Sequence, residues 1–247
     1  MPEFNDFIIV IPARYDSSRF PGKVLAMING KSMLENVFHN SLSSNASEVF
    51  IATDSKKIYE SSKSYTDNVF MTSEKNHNGT ERIADLAKLL KWNKKKLVIN
   101  VQADQPFLKP DNINFLANSA HNNDGLSTLY YPLSDPELRK DKNTVKISLG
   151  KNIKFHRKVD MNENGEFYKH IGIYAYHVDD LLSYKNLPQS SNEISLSLEQ
   201  YRFVDNDIKI HAYLAKSDPG ISIDSVENLN EYIGINNFNN YPNFYAG

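Results

Sequence analysis

Short apolar runs alternate with helical patterns over the first half of the chain. Residues 7–11 form a continuous and largely β-branched apolar run, which is typical of a strand buried on both faces of a parallel sheet. Residues 49–52, 68–71 and 97–101 repeat this pattern. Apolar residues at helical spacing between these runs predict helices that begin at Ser32 and at Thr80 and that cover about 55–63 and 111–121. The alternation predicts a doubly wound, mostly parallel α/β sheet with right-handed crossovers.

The second half has shorter and more mixed patterns. They predict strands at 126–131, 145–149, 171–176 and 208–214, and helices near 196–204 and from Ser225. We expect these elements to extend the sheet and to build a small mixed-strand lid or dimer arm. The sequence has no internal repeat, so we expect a single domain over 1–247 with a frayed tail at 236–247.

Composition excludes several functional classes. With a net charge of −2, the chain has no electrostatic footprint for nucleic acid. It has no cysteine, which excludes disulfides and thiolate metal sites. The longest apolar run ends at Pro12, far short of the ~20 residues that span a bilayer, and residues 1–6 lack the features of a secretory signal. We therefore expect a cytoplasmic protein with no membrane partner.

Common catalytic motifs are missing from the sequence. Gly22-Lys23 resembles part of a phosphate-binding loop, but Ser17 replaces the first glycine and Val24 follows the lysine. No G-x-G-x-x-G, H-E-x-x-H or G-x-S-x-G pattern occurs. These observations argue against a dinucleotide site, a zinc hydrolase and a serine hydrolase.

A basic loop follows the first strand, where open α/β sheets bind ligands. Residues 12–23 contain two prolines, a glycine and the three cations Arg14, Arg19 and Lys23. Fixed cations and backbone N–H groups of this kind suit a triphosphate. A solvated loop with scattered charge is the structural alternative.

Six segments in order resemble the CMP-Kdo synthetases, the cytidylyltransferases that activate 3-deoxy-manno-octulosonate (Kdo). The first is Ile-Pro-Ala-Arg-Tyr-x-Ser-Ser-Arg-Phe-Pro-Gly-Lys, at 11–23. The others are His-x-Gly-Thr-Glu-Arg, Val-Gln-x-Asp-x-Pro, Lys-His-Ile-Gly-Ile-Tyr, Leu-Glu-Gln-x-Arg and Ile-Asp, at 77–82, 101–106, 169–174, 198–202 and 223–224. Together they span nearly the whole chain.

The resemblance implies transfer of CMP from CTP to the anomeric hydroxyl of a sugar acid, with release of pyrophosphate. It also implies the nucleotide-diphospho-sugar transferase fold, a homodimer, a mainly nucleotide-binding half at 1–123 and a mainly sugar-acid-binding and dimer half at 124–235. The implied CTP-binding residues are Pro12 and Ala13 through their backbone, Arg14, Lys23, Arg82 and Gln102. Arg14, Lys23 and Asp104 would be catalytic, and Asp104 and Asp224 would bind Mg²⁺. Gln102, Arg157, His170, Tyr174, Glu199 and Gln200 would line the sugar-acid pocket.

Attack of a hydroxyl on a phosphate needs charge neutralisation and in-line placement, which Lys23, Arg14 and two aspartates with Mg²⁺ suit. Each assignment has a structural alternative. Asp104 is also typical of a turn, and Asp224 of a helix N-cap with Glu227. His170 is also typical of a core histidine, and Glu199 and Gln200 of a solvated helix face.

The sequence also departs from the family pattern. Ala103 replaces a glycine, Gln105 replaces a glutamate and His156 replaces a serine. The segment 158–168 is shorter than in the family and lacks an Ile-Pro pair. This leaves open an acceptor other than Kdo, such as 8-amino-Kdo or a sialic-acid type, and a non-catalytic nucleotide-binding protein.

Overall fold

One large sheet dominates the computed structural model, which describes residues 6–16, 20–133, 135–160 and 162–233. The strands are β1 (Phe7–Ala13), β2 (Met27–Ile28), β3 (Lys31–Ser32), β4 (Glu48–Thr53), β5 (Val69–Met71), β6 (Leu97–Val101), β7 (Leu126–Pro132), β8 (Lys146–Leu149), β9 (Ile153–His156), β10 (Phe167–His177) and β11 (Ile210–Leu214). The helices are α1 (Met33–Leu42), α2 (Lys56–Ser62), α3 (Gly79–Leu89), α4 (Pro110–Ala120), α5 (Val178–Asn186), α6 (Ser191–Leu196), α7 (Gln200–Val204) and α8 (Val226–Ile233).

The nine-stranded sheet has the order β11-β7-β10-β6-β1-β4-β5. β1 is parallel to both of its neighbours, β4 and β6, and the β4–β5 and β7–β11 pairs are also parallel. β10 is antiparallel to β6 and β7, and it carries the antiparallel extension β8–β9. The predicted doubly wound, mostly parallel sheet with a mixed-strand extension is confirmed.

The burial of β1 explains its uninterrupted apolar run. All seven residues of this strand are buried. Ile9 and Ile11 pack on one face among residues of α1 and α4, whereas Ile8 and Val10 pack on the other among residues of α3 and α5. Successive side chains of a strand point to opposite faces, so a sheet covered by helices on both faces requires apolar residues at every position.

Helix N-caps follow the sequence prediction at some positions and not at others. Ser32 Oγ accepts the N–H of Glu35 at 3.1 Å, as the predicted start of α1 requires. The prediction that Thr80 caps the next helix is wrong. Asn78 Oδ1 accepts the N–H of Glu81 at 2.9 Å, and α3 begins at Gly79. The helix therefore begins two residues earlier than predicted, with Gly79 as its first residue.

Four of these strands and helices have no counterpart in the sequence prediction: β2, β3, β9 and α5. The single helix predicted at 196–204 is two helices, because Ser197 adopts a left-handed conformation (φ 52°) between α6 and α7. No helix in the described parts of the chain is long and apolar enough to cross a membrane. The tail predicted to fray, 236–247, lies outside the described residues.

Candidate active site

A cleft of about 960 Å³ opens at the carboxyl ends of β1 and β6. Pro12 and Arg14 reach it from the end of β1, and Gln102 and Asp104 reach it from the end of β6. Its far wall comes from β10 and from residues 197–200. The strand-end placement predicted from the parallel pattern is therefore observed, since parallel strands present their carboxyl ends at one edge.

Lys23 lies at the centre of one side of the cleft. Its Nζ donates to Asp104 Oδ2 at 2.7 Å and to Asp224 Oδ1 at 3.2 Å. Gly22 precedes it in a left-handed conformation (φ 69°), and a Cβ at Gly22 would lie 3.2 Å from the Tyr15 ring. The turn that delivers Lys23 therefore favours glycine at this position.

The two aspartates control the charge state of Lys23. Burial by itself lowers the pKa of Lys23, but the charges of Asp104 and Asp224 outweigh it, and the pKa stands above the usual lysine value. Lys23 is therefore fully protonated at neutral pH. Its ammonium balances two carboxylates that would otherwise repel each other.

The donor set fits a hard divalent cation. Asp104 and Asp224 both contact one nitrogen, so their oxygens converge on a single point. Mg²⁺ prefers carboxylate oxygens, takes only one or two of them and fills the remaining positions with water and substrate phosphates. Among the described residues no cluster of three or more acidic or histidine side chains could hold a metal. Asp104 and Asp224, which both contact Lys23, would suit Mg²⁺ through their carboxylate oxygens.

The start of α3 forms the neighbouring wall. Gly79 packs so closely on Pro12 that a Cβ there would lie 3.0 Å from Pro12 Cγ. Arg82, one turn into the helix, is almost fully buried, forms an ion pair with Asp54 and donates to Thr72 Oγ1 at 2.8 Å. The predicted CTP-binding residue Arg82 thus lines the cleft while two strands fix its guanidinium in place.

Neutral polar groups form part of the far wall, which also carries the ionisable residues Lys169 and Glu199. Gln200 Nε2 donates to the Tyr174 hydroxyl, and both side chains are buried. The structural alternative of a solvated helix face is therefore wrong for Gln200. A β-bulge between Ile171 and Tyr174 brings Gly172 to the surface of the cleft. A Cβ at Gly172 would lie 2.7 Å from Gln105 Nε2, so the amide of Gln105 packs directly on this glycine.

His170 is a neutral member of the far wall. Its Nε2 lies 3.0 Å from Thr128 Oγ1, and its ring packs edge-on against Phe155. Burial lowers the pKa of His170 to about 3, and the nearby Arg157 charge adds to this effect. The residue combines the two predicted roles, because it is buried in the core and also lines the cleft.

Glu199 joins the far wall to α3. Its Oε2 accepts the backbone N–H of Thr80 at 3.2 Å. Burial raises the pKa of Glu199 above its usual value, while the hydrogen bonds from Thr80 oppose that shift. The carboxylate therefore connects residues 197–200 of the far wall to the start of α3.

Arg157 makes backbone contacts that the sequence does not indicate. Its Nε donates to Leu196 O at 3.0 Å, and its Nη2 donates to Ser197 O at 2.6 Å. Its Nη1 donates to Lys142 O at 3.3 Å. The guanidinium lines the cleft and links three segments of its wall.

The structure brings twelve of the thirteen predicted site residues into one cleft. Ala13 is the exception, since it is 1% exposed and packs in the core. Arg19 of the basic loop lies outside the described residues. The predicted residues that line the cleft are Pro12, Arg14, Lys23, Arg82, Gln102, Asp104, Arg157, His170, Tyr174, Glu199, Gln200 and Asp224.

Comparisons with known proteins agree with this geometry. The cytidylyltransferase family pattern matches residues 8–210. A 3-deoxy-manno-octulosonate cytidylyltransferase from Pseudoalteromonas translucida (strain TAC 125) is 36% identical over 244 residues, covering 92% of this chain and 96% of that protein. One from Leptospira interrogans is 38% identical over 229 residues, covering 89% and 92%. The chain belongs to the 3-deoxy-manno-octulosonate cytidylyltransferase family.

Solved structures lead to the same family. A CMP:2-keto-3-deoxy-manno-octonic acid synthetase complexed with CTP superposes with a TM-score of 0.81 at 29% identity, covering 92% of this chain and 97% of that chain. A 4-diphosphocytidyl-2C-methyl-D-erythritol synthase reaches 0.62 at 13% identity, covering 94% and 98%, which shows a shared fold alone. The CMP-Kdo synthetase resemblance in the sequence is confirmed.

Sequence reasoning did not assign a role to several residues of this cytidylyltransferase cleft. Lys169 lines the cleft and donates from Nζ to Gly220 O at 2.9 Å. Residues 141–145 form a rim, which Asp141 organises by accepting the N–H of Asn143 and of Thr144, each at 3.0 Å. Lys169 begins one of the six segments that resemble the family, at 169–174, and this position was the sequence signal for a role in the site. The rim has no motif, and only the fold shows that it faces the site.

Proposed function

We propose that this chain transfers CMP from CTP to the anomeric hydroxyl of Kdo and releases pyrophosphate. The observation that carries this proposal is the convergence of Asp104 and Asp224 on Lys23, in the same cleft as the polar groups of the far wall. Relatives that are 33–38% identical over most of the chain bear the name 3-deoxy-manno-octulosonate cytidylyltransferase, which supports the choice of substrates.

The reaction is an in-line displacement at the α-phosphorus of CTP. The anomeric hydroxyl loses its proton and forms a bond to phosphorus, while the bond to the bridging oxygen breaks and pyrophosphate leaves with the electron pair. Positioning and charge neutralisation accelerate such a step more than a covalent protein nucleophile does. Among the described residues of the loop after β1, Lys23 and Arg14 are the cations that line the cleft.

Mg²⁺ is part of the proposal, with Asp104 and Asp224 as its protein ligands. When bound, it neutralises charge on the phosphate oxygens. With Mg²⁺ held by the aspartates, Lys23 would be available to contact the triphosphate. Asp104 and Asp224 would then bind Lys23 in the ligand-free protein and Mg²⁺ in the complex with CTP.

The far wall suits a polyhydroxylated acceptor. Tyr174 and Gln200 carry neutral donors and acceptors, and Gln102 adds an amide from the end of β6. His170 is neutral because burial lowers its pKa to about 3. Neutral groups of this kind bind sugar hydroxyls without the desolvation cost of a charge. Arg157 and Lys169 are the cations on this side and suit the carboxylate of the acid.

A cytoplasmic location and a homodimer complete the proposal. CTP is a cytoplasmic nucleotide, which supports that compartment, and the family resemblance supports the dimer. Light scattering during gel filtration measures the mass directly, against 28.2 kDa for one chain.

Pyrophosphate release measured with four nucleotides and several acids tests the function. We expect turnover with CTP and Kdo, and at least about tenfold lower kcat/KM with UTP, ATP or GTP. Equal turnover with UTP would contradict the nucleotide assignment. A higher kcat/KM with 8-amino-Kdo or a sialic acid than with Kdo would show that this other acid is the acceptor. The reaction class would remain the same. Absence of pyrophosphate release with every pair would contradict the enzymatic function.

A further inference from the structure

Lys146, the first residue of β8, is fully buried although it carries an ammonium group. Its Nζ donates to the backbone carbonyls of Asp141 at 2.6 Å, Thr144 at 2.7 Å and Arg157 at 2.6 Å. Three donors therefore meet three acceptors. A buried lysine is costly unless its N–H groups are satisfied, so these carbonyls determine its position.

The three carbonyls belong to segments that line the acceptor side of the cleft. Asp141 and Thr144 are part of the 141–145 rim, and Arg157 follows β9. The Arg157 side chain extends the connection, because it donates to the carbonyls of Leu196 and Ser197 just before the Glu199–Gln200 wall. Lys146 thus joins the rim, Arg157 and the far wall into one connected structure.

We propose that Lys146 is a positioning residue for the acceptor, holding the 141–145 rim and Arg157 in the places where they face the sugar acid. This inference rests on the proposed function, since it assigns the acceptor to that wall. Lys146 does not line the cleft, so it acts through the groups it holds.

The number of N–H groups on Lys146 Nζ depends on its protonation, so this arrangement is sensitive to pH. A protonated ammonium has three N–H groups for the three carbonyls, whereas the neutral amine has two and leaves one carbonyl without its donor. Burial lowers the pKa of Lys146 to about 8, with Asp141 opposing the shift and Arg157 and Lys158 adding to it. His156 on β9 and Lys169 on β10 are its cross-strand neighbours. The connection therefore weakens as pH rises through about 8.

Stability has the opposite dependence on pH. The pKa of Lys146 is lower in the folded protein than in the unfolded chain, so above about pH 8 the unfolded chain binds more protons. The contribution of this residue to the free energy of unfolding therefore increases between about pH 8 and the unfolded pKa of 10.5. Deprotonation of Lys146 therefore stabilises the fold in this range, so it would not lower acceptor affinity by unfolding the protein.

The experiment measures the KM of Kdo and of CTP between pH 7 and 9 for three proteins. In the wild type we expect the KM of Kdo to rise about fivefold while the KM of CTP changes less than about twofold. In Lys146→Met the KM of Kdo should be raised about tenfold already at pH 7 and should no longer depend on pH, with kcat within about threefold. Lys154→Met, which removes an exposed charge from the adjacent strand β9, should behave as the wild type.

Each outcome decides one point. A KM of Kdo in the wild type that does not change with pH contradicts the role of Lys146, whether or not the methionine variant folds. A rise that persists in Lys146→Met assigns the titration to another group, such as Lys169, whose pKa burial also lowers, and contradicts the proposal. Absence of turnover with any acid overturns the proposed function itself, whereas normal turnover with an unchanged KM overturns only the role of Lys146.

Discussion

Lys23 is the residue whose environment differs most from the one expected from the sequence. Its place in a basic loop predicts a contact with phosphates, and in the ligand-free structure its ammonium lies between two carboxylates instead. In the proposed mechanism these two roles would be successive. Lys23 would neutralise Asp104 and Asp224 in the ligand-free protein and would contact the triphosphate once Mg²⁺ and CTP were bound.

Replacing Lys23 by methionine tests this exchange. Removing the ammonium removes its competition with a divalent cation for the two aspartates, so we expect Mn²⁺ to bind the free variant at least about tenfold more tightly than the wild type. Turnover should fall at least about a hundredfold, which corresponds to roughly 3 kcal/mol of transition-state stabilisation. Electron paramagnetic resonance of Mn²⁺ without CTP gives the affinity. The control is Lys31→Met, an exposed lysine in the same region. Equal Mn²⁺ affinity in all three proteins would rule out the competition.

Asp224 and Ser225 separate catalysis from helix capping. The N-cap contact of α8 belongs to Ser225, whose Oγ accepts the N–H of Asn228 at 3.3 Å, while Asp224 contacts Lys23. We expect Asp224→Asn to lower turnover at least about a hundredfold and to change the free energy of unfolding by less than about 1 kcal/mol. Ser225→Ala should cost about 1 kcal/mol and keep turnover within about threefold. Urea unfolding and the pyrophosphate assay together measure both effects. Strong destabilisation by Asp224→Asn would show that Asp224 also stabilises the fold, in addition to the cap that Ser225 provides.

Residues at strand ends were predictable because a buried strand determines where its next side chains go. This reasoning predicts from the sequence that Arg14, Gln102 and Asp104 lie at one edge, and the structure shows all three lining the cleft. The partners of Arg157 were not predictable, because they are backbone carbonyls 15 to 40 residues away and a carbonyl has no signature in the sequence. The left-handed conformation of Ser197, which ends α6, has no signature in the sequence either.

At the level of elements, a buried ionic cluster joins α3, α6 and α7. Arg202 donates to Glu81 at 2.8 Å and to Glu193 at 2.6 Å, and all three residues are at most 5% exposed. Its guanidinium also lies 4.4 Å from the centre of the Tyr184 ring. Because α3 and residues 198–200 both line the cleft, this cluster sets the distance between the nucleotide side and the acceptor side.

Removing Arg202 alone should leave two buried carboxylates without their cation. We expect Arg202→Met to lower the free energy of unfolding by about 3–5 kcal/mol, measured by urea denaturation followed by circular dichroism. Adding Glu81→Gln and Glu193→Gln should recover a large part of the loss, because no uncompensated charge then remains. A triple variant no more stable than Arg202→Met would show that the loss comes from packing on Tyr184 and not from charge.

Across the whole molecule, the sheet is continuous between the two halves. β6 of the first half pairs with β1 on one side and with β10 of the second half on the other. The cleft draws on both halves, since Lys23 and Asp104 lie in one and His170 and Asp224 in the other. A ligand that fills it therefore stabilises both halves together.

Thermal unfolding measured with two probes tests this coupling. The single tryptophan, Trp92, packs 5.1 Å from the Phe50 ring and reports on the first half, whereas far-ultraviolet circular dichroism reports on the entire chain. We expect the two transitions to coincide. CTP at about a hundred times its Kd, with Mg²⁺, should raise both by about 5–10 °C, because such saturation adds about 2.7 kcal/mol of stability. Separate transitions, or a shift of the Trp92 signal alone, would show that the halves unfold independently.

The pairing of β6 with β10 also affects how the protein folds during synthesis on the ribosome, because β10 is synthesised well after β6. The edge of β6 that faces β10 has no partner until residues 173–177 have been synthesised, although β6 itself is complete at Val101. At about 5–20 residues per second, this apolar edge stays open for roughly 4–15 s of every round of translation. An open, apolar strand edge is a template for pairing with another chain. Chaperone demand during synthesis should therefore concentrate in the interval between these two strands, and slowing translation there should lower the soluble yield.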